Sequence, residues 1–370
     1  MPRTSRTLRW AEVDDALRER WSQLVARHKL NPTLKPGWIE IVARALRGPG
    51  QEPSLYVEEE GGVLTAVVPF FLSRLRMSGL PMTAVQPASN LISYHAELVT
   101  ASDHRSVLSR MLASVRGWDV LQFANVHVDG ATADAVRSLA ADLRTPLQTL
   151  PTDQSPWLAL EESWEKLLAS KNKKFRYKVR HRRDLLDKNG PWELRWYEDE
   201  SRLDELLQAI LQIEAVSWKA AEGVDIPSRP HEVEYHRQLL PFLARQGALL
   251  ANVIYIGTQP AAYCLCCRDG EWVGNLKTSF DQSLEKLSPG AVVIDTSIER
   301  AFALGAKEFD FLGNAGSHKL AWTSNLRSHA DYFLFAPRLK ARLVGMLKLM
   351  RAKKSQPAEA AQTTMAAEAE

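Results

Sequence analysis

The segment that ends the last predicted strand carries three side chains suited to proton or acyl transfer. In Glu308-Phe-Asp-Phe-Leu-Gly-Asn-Ala-Gly-Ser-His-Lys319, Asp310 stands between two phenylalanines and would point away from the core face of a strand. His318 has an ordinary pKa of about 6.5 and could accept a proton near neutral pH. Asp310 could orient that histidine or hold an ammonium group, and Lys319 could stabilise an anionic oxygen or pair with Asp310. A loop in which Asp310 caps the chain and His318 lies on the surface is an equally economical interpretation.

A second segment, Leu287-Ser-Pro-Gly290, predicts a helix start that could hold phosphate. Ser288 suits the N-cap, and a proline suits the first helical position. A helix N-terminus offers free N–H groups and the positive end of the helix dipole, and Gly290 would let a ligand approach the backbone. Lys286 and Lys277 are the cationic candidates for this site. A plain capped helix is the alternative, since the segment is neither a Walker loop nor a Gly-x-Gly-x-x-Gly motif.

A third segment is strongly basic, with eight Lys or Arg residues and no acid in the fourteen positions from Ser170 to Arg183. On a helix, four apolar side chains would share one face. They are Leu168, Phe175, Val179 and Leu186. The remaining face could be simply solvated, could attract an anionic donor or acceptor, or could bind nucleic acid without sequence preference. The last of these is the least economical, because Phe175 is better used in a core.

The elements that must position these side chains form two similar series along the chain. The first series is a helix near 36–46, a hairpin at 54–71, a helix at 103–116 and a strand at 119–123. The second series is a hairpin at 248–266, a strand at 272–277, a helix from about 288 and a strand at 308–312. This order predicts an α/β (α+β) fold of two tandem domains, with mixed central sheets flanked by helices.

Breaks in the periodicity predict the domain limits. Two prolines and a Thr-Asp-Gln-Ser run between Leu150 and Trp157 indicate a boundary. We expect domains at 1–152 and 153–337, a basic amphipathic helix at 338–354 and a disordered tail at 355–370. The apolar stripe of that helix contains Leu339, Leu343, Leu347 and Met350. It would pack against the second domain or, alternatively, contact an anionic membrane peripherally.

Composition indicates an ordinary globular chain. Of 370 residues, 45% are hydrophobic and 25% charged, and 47 basic against 44 acidic side chains leave a net charge of +3. A nucleic-acid partner would therefore depend on local patches. The three cysteines lie within 264–267, which argues against a disulfide framework, and His231 and His236 are five residues apart, which argues against a zincin-type metal site. With no apolar leader and no apolar run of eighteen residues, we expect a cytoplasmic protein without metal.

From about Glu162 to Ser324 the chain resembles the GNAT-fold acyltransferases called cellulose-biosynthesis or BioF2-like acetyltransferases, a family similar to FemAB-type peptidyltransferases. Four segments carry the resemblance in the family's order. They are the basic stretch 170–183 followed by Asn189-Gly190, the hairpin at 257–266, Leu287-Ser-Pro-Gly290, and Phe309-Asp-Phe-Leu-Gly313 with His318-Lys-Leu-Ala-Trp322. The chain departs from the pattern at His318, where a tyrosine is common, and at Ser217, where an arginine commonly precedes Trp218.

The resemblance implies a degenerate GNAT-like first domain and a catalytic second domain that transfers an acetyl or other acyl group from acetyl-CoA or another acyl-CoA. The acceptor would be an amine of a small molecule, sugar or peptide, in a setting such as polysaccharide biosynthesis. Trp218, Glu214 and Trp322 are the implied acceptor-binding residues, and Glu214 is the next candidate base after His318. The alternatives are a FemAB-like transferase that uses aminoacyl-tRNA, and a non-catalytic module that binds anions or nucleic acid.

Overall fold

The structure, a computed structural model, describes residues 2–49, 51–91 and 96–351. It divides into two compact units. Unit 1 comprises 1–39, 47–153 and 328–370, and unit 2 comprises 40–46 and 154–327. Residues 328–337, which we expected in the second domain, thus return to unit 1. The predicted disordered tail, 355–370, lies outside the described residues.

The first part of the chain contains the predicted helices, hairpin and strand, together with further strands and helices that were not predicted. The strands are β1 (Arg3–Arg9), β2 (Glu52–Glu60), β3 (Val63–Met77), β4 (Leu80–Pro87), β5 (Val99–Thr100) and β6 (Val120–His127). The helices are α1 (Asp15–Arg27), α2 (Pro36–Ala45), α3 (His104–Ser114) and α4 (Ala131–Asp142). The hairpin of β2 and β3 turns at Gly61-Gly62, where both glycines have positive φ, a conformation that glycine adopts without steric cost.

The remaining elements begin with a strand that crosses the boundary between the units. The strands are β7 (Leu147–Ala159), β8 (Trp192–Tyr197), β9 (Leu249–Ile256), β10 (Gln259–Asp269), β11 (Trp272–Phe280), β12 (Glu308–Asp310) and β13 (Leu326–Phe335). The helices are α5 (Trp164–Ser170), α6 (Lys173–Lys188), α7 (Leu203–Ala215), α8 (Trp218–Ala221), α9 (Pro230–Arg245), α10 (Pro289–Ala303) and α11 (Ser317–Leu320). Residues 339–351 form a further helix, α12.

The sheet of unit 1 has the order β1-β2-β3-β4-β6-β13, with β5 on β3. Its pairs are antiparallel except β4 with β6, which run parallel through Ala84 and Val120. Large apolar side chains from several strands fill the core, because alternate residues of each strand face the helices. Phe70, Phe123 and Tyr332 are all at most 1% exposed.

The sheet of unit 2 has the order β7-β12-β11-β10-β9-β8. Its one parallel pair among the described strands is β11 with β12. Helices cover both faces, because successive side chains of the central strands point to opposite sides. On β10, Tyr263 bonds to Glu214 of α7, whereas Cys264 packs in the cluster that contains Val292 and Val293 of α10. All three cysteines are buried, as expected for apolar packing.

Candidate active site

The central opening of unit 2 lies where β11 and β12 part. The two strands pair only from Trp272–Gly274 to Glu308–Asp310, although β11 continues to Phe280. After Asp310 the chain turns away: Phe311 N donates to Pro156 O at 3.0 Å, and Leu312 and Gly313 have φ values of 45° and 63°. The described part of β12 therefore leaves the edge of β11 from 275 to 280 unpaired on this side. We call this opening the wedge.

A β-bulge lies in β11 beside the wedge. Leu265 of β10 is opposite Lys277, but the next residue, Cys266, is opposite Asn275. Leu276 is thus the extra residue on β11. Bulges leave one residue outside the ladder, redirect the local backbone and occur often beside active sites. The wedge consequently has irregular backbone on one wall, which suits the binding of a carbonyl group.

The N-terminus of α10 lies at the end of the loop that follows β11. The 3-10 helix Gln282–Leu287 leads into it, with Lys286 exposed to solvent. Ser288 occupies the predicted N-cap position, but its side chain makes no capping hydrogen bond. The reason is its left-handed backbone, with φ 54° and ψ 40°, since side-chain capping requires an extended N-cap residue. Gln282 N donates to Val216 O at 3.2 Å, which ties this loop to the end of α7.

Gly290 is required here for packing. A Cβ atom at this position would lie 2.7 Å from Cδ1 of Phe280, closer than real Cβ contacts. The glycine thereby allows the first turn of α10 to sit against β11. Its predicted role in admitting a ligand remains a proposal.

Glu214 is the centre of a buried ionic cluster on the face of the sheet opposite α10. It is 0% exposed, and its Oε1 accepts from Lys219 Nζ at 2.8 Å and from Tyr263 OH at 2.7 Å. Lys277 Nζ lies 3.9 Å from its Oε2 and 3.5 Å from Oε2 of Glu232. Burial raises the pKa of Glu214, but the ammonium groups of Lys219 and Lys277 outweigh that effect and leave it below its ordinary value.

This cluster changes the expected grouping of the site residues. Lys277, a predicted donor-binding residue, lies with Glu214 and not on the α10 face, because the side chains of β11 alternate and Phe280 takes the α10 side. Trp218, an implied acceptor-binding residue, is 49% exposed to solvent. Sequence reasoning missed Lys219, whose Nζ also donates to Thr278 O of β11 at 3.1 Å. A lysine on a four-residue helix carries no periodic signal that could have found it.

Asp310 is 0% exposed and is held by two neighbours. Its Oδ1 accepts from Leu312 N at 2.9 Å, and its Oδ2 lies 2.9 Å from Nη1 of Arg327. Arg327 also pairs with Glu308 at 2.8 Å. The alternation of Phe309 and Asp310 is as predicted, but the carboxylate stabilises the turn after β12. The alternative interpretation of Asp310 as a local cap therefore has direct geometric support.

His318 and Lys319 lie on the short helix α11. His318 is exposed, and its ring packs over Gly316, where a Cβ atom would lie 2.9 Å from Cε1. Partial desolvation, followed by the positive charges of Lys319 and Arg182, lowers the pKa of His318. Lys319 Nζ donates to Leu312 O at 2.5 Å. A neutral histidine is thus favoured at neutral pH, which is the form that can accept a proton.

Trp322, an implied acceptor-binding residue, lies in the core of unit 2. It is 2% exposed, and its ring centroid is 5.6 Å from that of Trp164 and 4.8 Å from that of Phe175. Its carbonyl oxygen accepts a hydrogen bond from Lys171 Nζ. Trp322 therefore packs in the core, because its side chain is almost completely buried among these aromatic neighbours.

The basic stretch spans two helices and not one. Helix α5 ends at Ser170, and α6 begins at Lys173 with Asn172 as its N-cap, whose side chain accepts from Phe175 N at 2.9 Å. Arg176 donates to Lys171 O at 2.7 Å and so joins the two helices. As predicted, Phe175, Val179 and Leu186 face the core.

The cations of α6 divide into two groups. Arg182 pairs with Asp295 at 3.0 Å and Arg183 with Glu299 at 2.6 Å, which docks α6 on α10. Lys173, Lys174 and Lys178 are exposed, beside Tyr177, which is 58% exposed and stacks on His181. Arg182 faces the middle of α10, and α6 also contacts the 3-10 helix that precedes α10.

Comparison with known proteins agrees with this geometry. Residues 173–320 match the acetyltransferase (GNAT) domain family. No curated protein shows significant similarity to the chain. The match covers α6 to α11, and so includes the wedge and the start of α10.

Solved structures share the fold along most of the chain. FemX is 13% identical with a TM-score of 0.63, over 93% of this chain and all of FemX. A conserved protein of unknown function from Bacteroides thetaiotaomicron is 14% identical with a TM-score of 0.57, over 87% of this chain and 98% of that one. The C-terminal domain of a putative lysylphosphatidylglycerol synthetase from Agrobacterium fabrum is 11% identical with a TM-score of 0.52, over 91% and 95%. At these identities the likeness concerns the fold.

The chain thus has the GNAT-like α/β architecture expected from its sequence, with a GNAT acetyltransferase domain at 173–320. It is an acyltransferase.

Proposed function

We propose that the protein is an acyl-CoA-dependent N-acyltransferase of the BioF2-like type, which acylates an amine of a small molecule, sugar or peptide. One observation carries the proposal: the wedge between β11 and β12, with the bulge at Leu276, lies within the GNAT domain and beside the N-terminus of α10. In this proposal the wedge receives the thioester and the adjacent start of α10 binds the phosphates.

The residues present fit coenzyme A as the donor. Pro289 has no N–H group, and Ala291 N and Val292 N both donate to Ser288 O. The described first turn of α10 therefore offers the pyrophosphate the Gly290 N–H and the positive end of the helix dipole, and exposed Lys286 adds positive charge. Lys174 and Lys178 extend the same cationic surface along α6. The acyl thioester would enter the wedge, where the irregular backbone of β11 can donate hydrogen bonds to its carbonyl oxygen.

The chemistry requires no covalent enzyme intermediate. An amine attacks the thioester carbonyl carbon, a C–N bond forms, and the C–S bond breaks to release the thiolate. His318, neutral at pH 7, accepts the proton of the acceptor ammonium, and Lys319 is the candidate donor to the oxyanion or the thiolate. Glu214 and Lys219 form the acceptor side, with Trp218 as its exposed wall.

A thermal-shift titration with coenzyme A and acetyl-CoA tests the donor. At 100 times the Kd, the ligand would stabilise the protein by about 2.7 kcal/mol. No shift at millimolar concentrations would remove coenzyme A as the donor. Mass spectrometry of products formed from acetyl-CoA and a panel of amines, amino sugars and peptides then identifies the acceptor.

A second candidate is an aminoacyl-tRNA-dependent transferase similar to the FemAB type. The exposed lysines of α6 with Tyr177 favour it, because cations interleaved with an aromatic ring suit a nucleic-acid backbone and a base. Parallel assays with acetyl-CoA and with a mixture of aminoacyl-tRNAs decide between the donors. A protein that binds RNA but transfers nothing from either donor would be the non-catalytic module.

A further inference from the structure

Helix α12 is docked on unit 1 by one face. Ala341 and Val344 are 0% exposed, and a Cβ atom at Gly345 would lie 2.7 Å from both Phe335 and Pro146. Lys340 Nζ donates to Asp119 Oδ2 at 2.7 Å and to Pro81 O at 3.0 Å. These contacts fix the rotation of the helix about its axis.

The opposite face of α12 presents the predicted apolar stripe to solvent, with Met346 as a fifth member that the prediction did not include. Its five members follow the spacing i, i+4, i+7, i+8 and i+11, which places them on one side of a helix. They are Leu339, Leu343, Met346, Leu347 and Met350, exposed by 77%, 52%, 56%, 40% and 55%. A continuous apolar patch of this kind marks an interaction surface. The packing contacts that the structure describes for α12 are made by its other face and are with unit 1.

The charges around the stripe select its partner. From Arg338 to Lys354 the chain has seven cationic residues and no acid, and the next acid along the chain is Glu359. A second copy of the stripe laid on the first would bring like charges together, which opposes dimerisation. A surface that is apolar within and anionic at its edge is complementary to the helix, as at a bilayer that contains acidic lipids.

We propose that α12 docks the protein on an anionic membrane surface. The helix lies in the plane of the interface, with its five apolar side chains among the acyl chains. Lys340 and Arg342 bond to unit 1, so Arg338 and Lys348 are the cations that would lie among the lipid phosphates. No helix within the described residues is long and apolar enough to cross a membrane, so the contact is peripheral. The proposal is independent of the donor and the acceptor, because it concerns unit 1 alone.

Co-sedimentation of the full chain with vesicles tests the proposal directly. Vesicles of phosphatidylcholine are compared with equimolar phosphatidylcholine and phosphatidylglycerol. The protein should bind the anionic vesicles and lose binding as salt is raised. Changing Leu343, Met346 and Leu347 to Gln should lower the partition coefficient by about tenfold or more, because each loses apolar area that the acyl chains would bury. The matched control changes two exposed apolar residues elsewhere in unit 1, Val63 and Leu150, to Gln.

The results distinguish a membrane from a second copy of the chain as the partner of the apolar stripe. The membrane proposal is supported if the α12 variant loses vesicle binding and the control variant does not. Both variants should keep the thermal midpoint of the parent. Equal binding by parent and α12 variant, or no binding by the parent, overturns the proposal. So does a concentration-dependent dimer in sedimentation velocity that the α12 variant abolishes, because a second copy would then cover the stripe.

Discussion

The ammonium group of Lys219 lies 2.8 Å from a carboxylate oxygen of Glu214, and both side chains are largely buried, with exposures of 14% and 0%. The pair joins α8 to the end of α7, beside the edge of β11 that faces the wedge. A buried ion pair of this kind is costly to break from one side, because the remaining charge loses its compensation.

Changing Glu214 to Gln should therefore lower the free energy of unfolding by about 3 kcal/mol, because the ammonium groups of Lys219 and Lys277 remain in a buried site. Urea unfolding measures the effect. The double variant Glu214→Gln with Lys219→Met should recover part of the loss, since it removes one of the uncompensated charges. If the single variant is no less stable than the surface control Glu193→Gln, the cluster does not stabilise the fold.

His318→Gln should lower kcat by about 100-fold, the scale for loss of a general base. In the parent, activity should rise with pH through the pKa of His318, and this limb should lie below pH 6.5 because the environment lowers that pKa. The variant should lack the limb. His231→Gln, an exposed histidine of α9, is the matched control. A variant that keeps the limb would assign the base to a group other than His318, and not to Glu214, whose pKa lies below its ordinary value.

Lys286→Ala should raise the Kd for coenzyme A by about fivefold, because an exposed charge near a phosphate contributes on the order of 1 kcal/mol. Isothermal titration with coenzyme A measures it, and the effect should shrink with added salt. Lys307→Ala, an exposed lysine of the same unit, is the control. If the two variants bind coenzyme A with equal affinity, the phosphates of coenzyme A do not bind at the start of α10.

Changing Lys173, Lys174 and Lys178 to Gln should weaken donor binding and flatten its salt dependence, since these lysines supply the cationic face of α6. Arg176 is better left unchanged, because it bonds to the backbone of Lys171. The control changes the exposed residues Lys29, Lys188 and Lys307 to Gln. If the salt dependence of donor binding is unchanged, the cationic face of α6 is solvated and does not bind the donor. A variant that loses RNA binding but keeps donor binding would favour the tRNA-dependent candidate.

Asp295 should make the protein less stable as the pH rises. Burial raises its pKa to about 7, although Arg182 acts in the opposite direction. Between about pH 4 and pH 7 the folded state therefore keeps a proton on Asp295 that the unfolded state has released. The free energy of unfolding falls as the pH rises through this range. Asp295→Asn should remove about 1.4 kcal/mol per pH unit from the slope of unfolding free energy in this range. Parallel slopes for the parent and the variant would contradict this. The exposed residue Glu271, changed to Gln, is the control and should keep the slope of the parent.

Local pattern was enough for the elements that carry the site. The glycine turns and alternating apolar residues predicted both hairpins, and Ser288 with Pro289 predicted the start of α10, because turn chemistry and periodicity act over a few neighbouring residues. The resemblance of 162–324 to GNAT enzymes agrees with the domain match at 173–320. The break between α5 and α6 was missed, although asparagine is a common N-cap residue. Asn172 caps α6 by accepting a hydrogen bond from Phe175 N.

Which of these residues meet was decided only by the tertiary structure. Asp310 lies against Arg327, Lys277 lies with Glu214, and Trp322 is enclosed by Trp164 and Phe175. The sequence by itself determined that α12 would have an apolar stripe, and the packing of Ala341 and Gly345 on unit 1 decided that the stripe would face solvent. Periodicity specifies the sides of one element, whereas pairing across a sheet and the choice of the buried side depend on contacts between residues far apart in the chain.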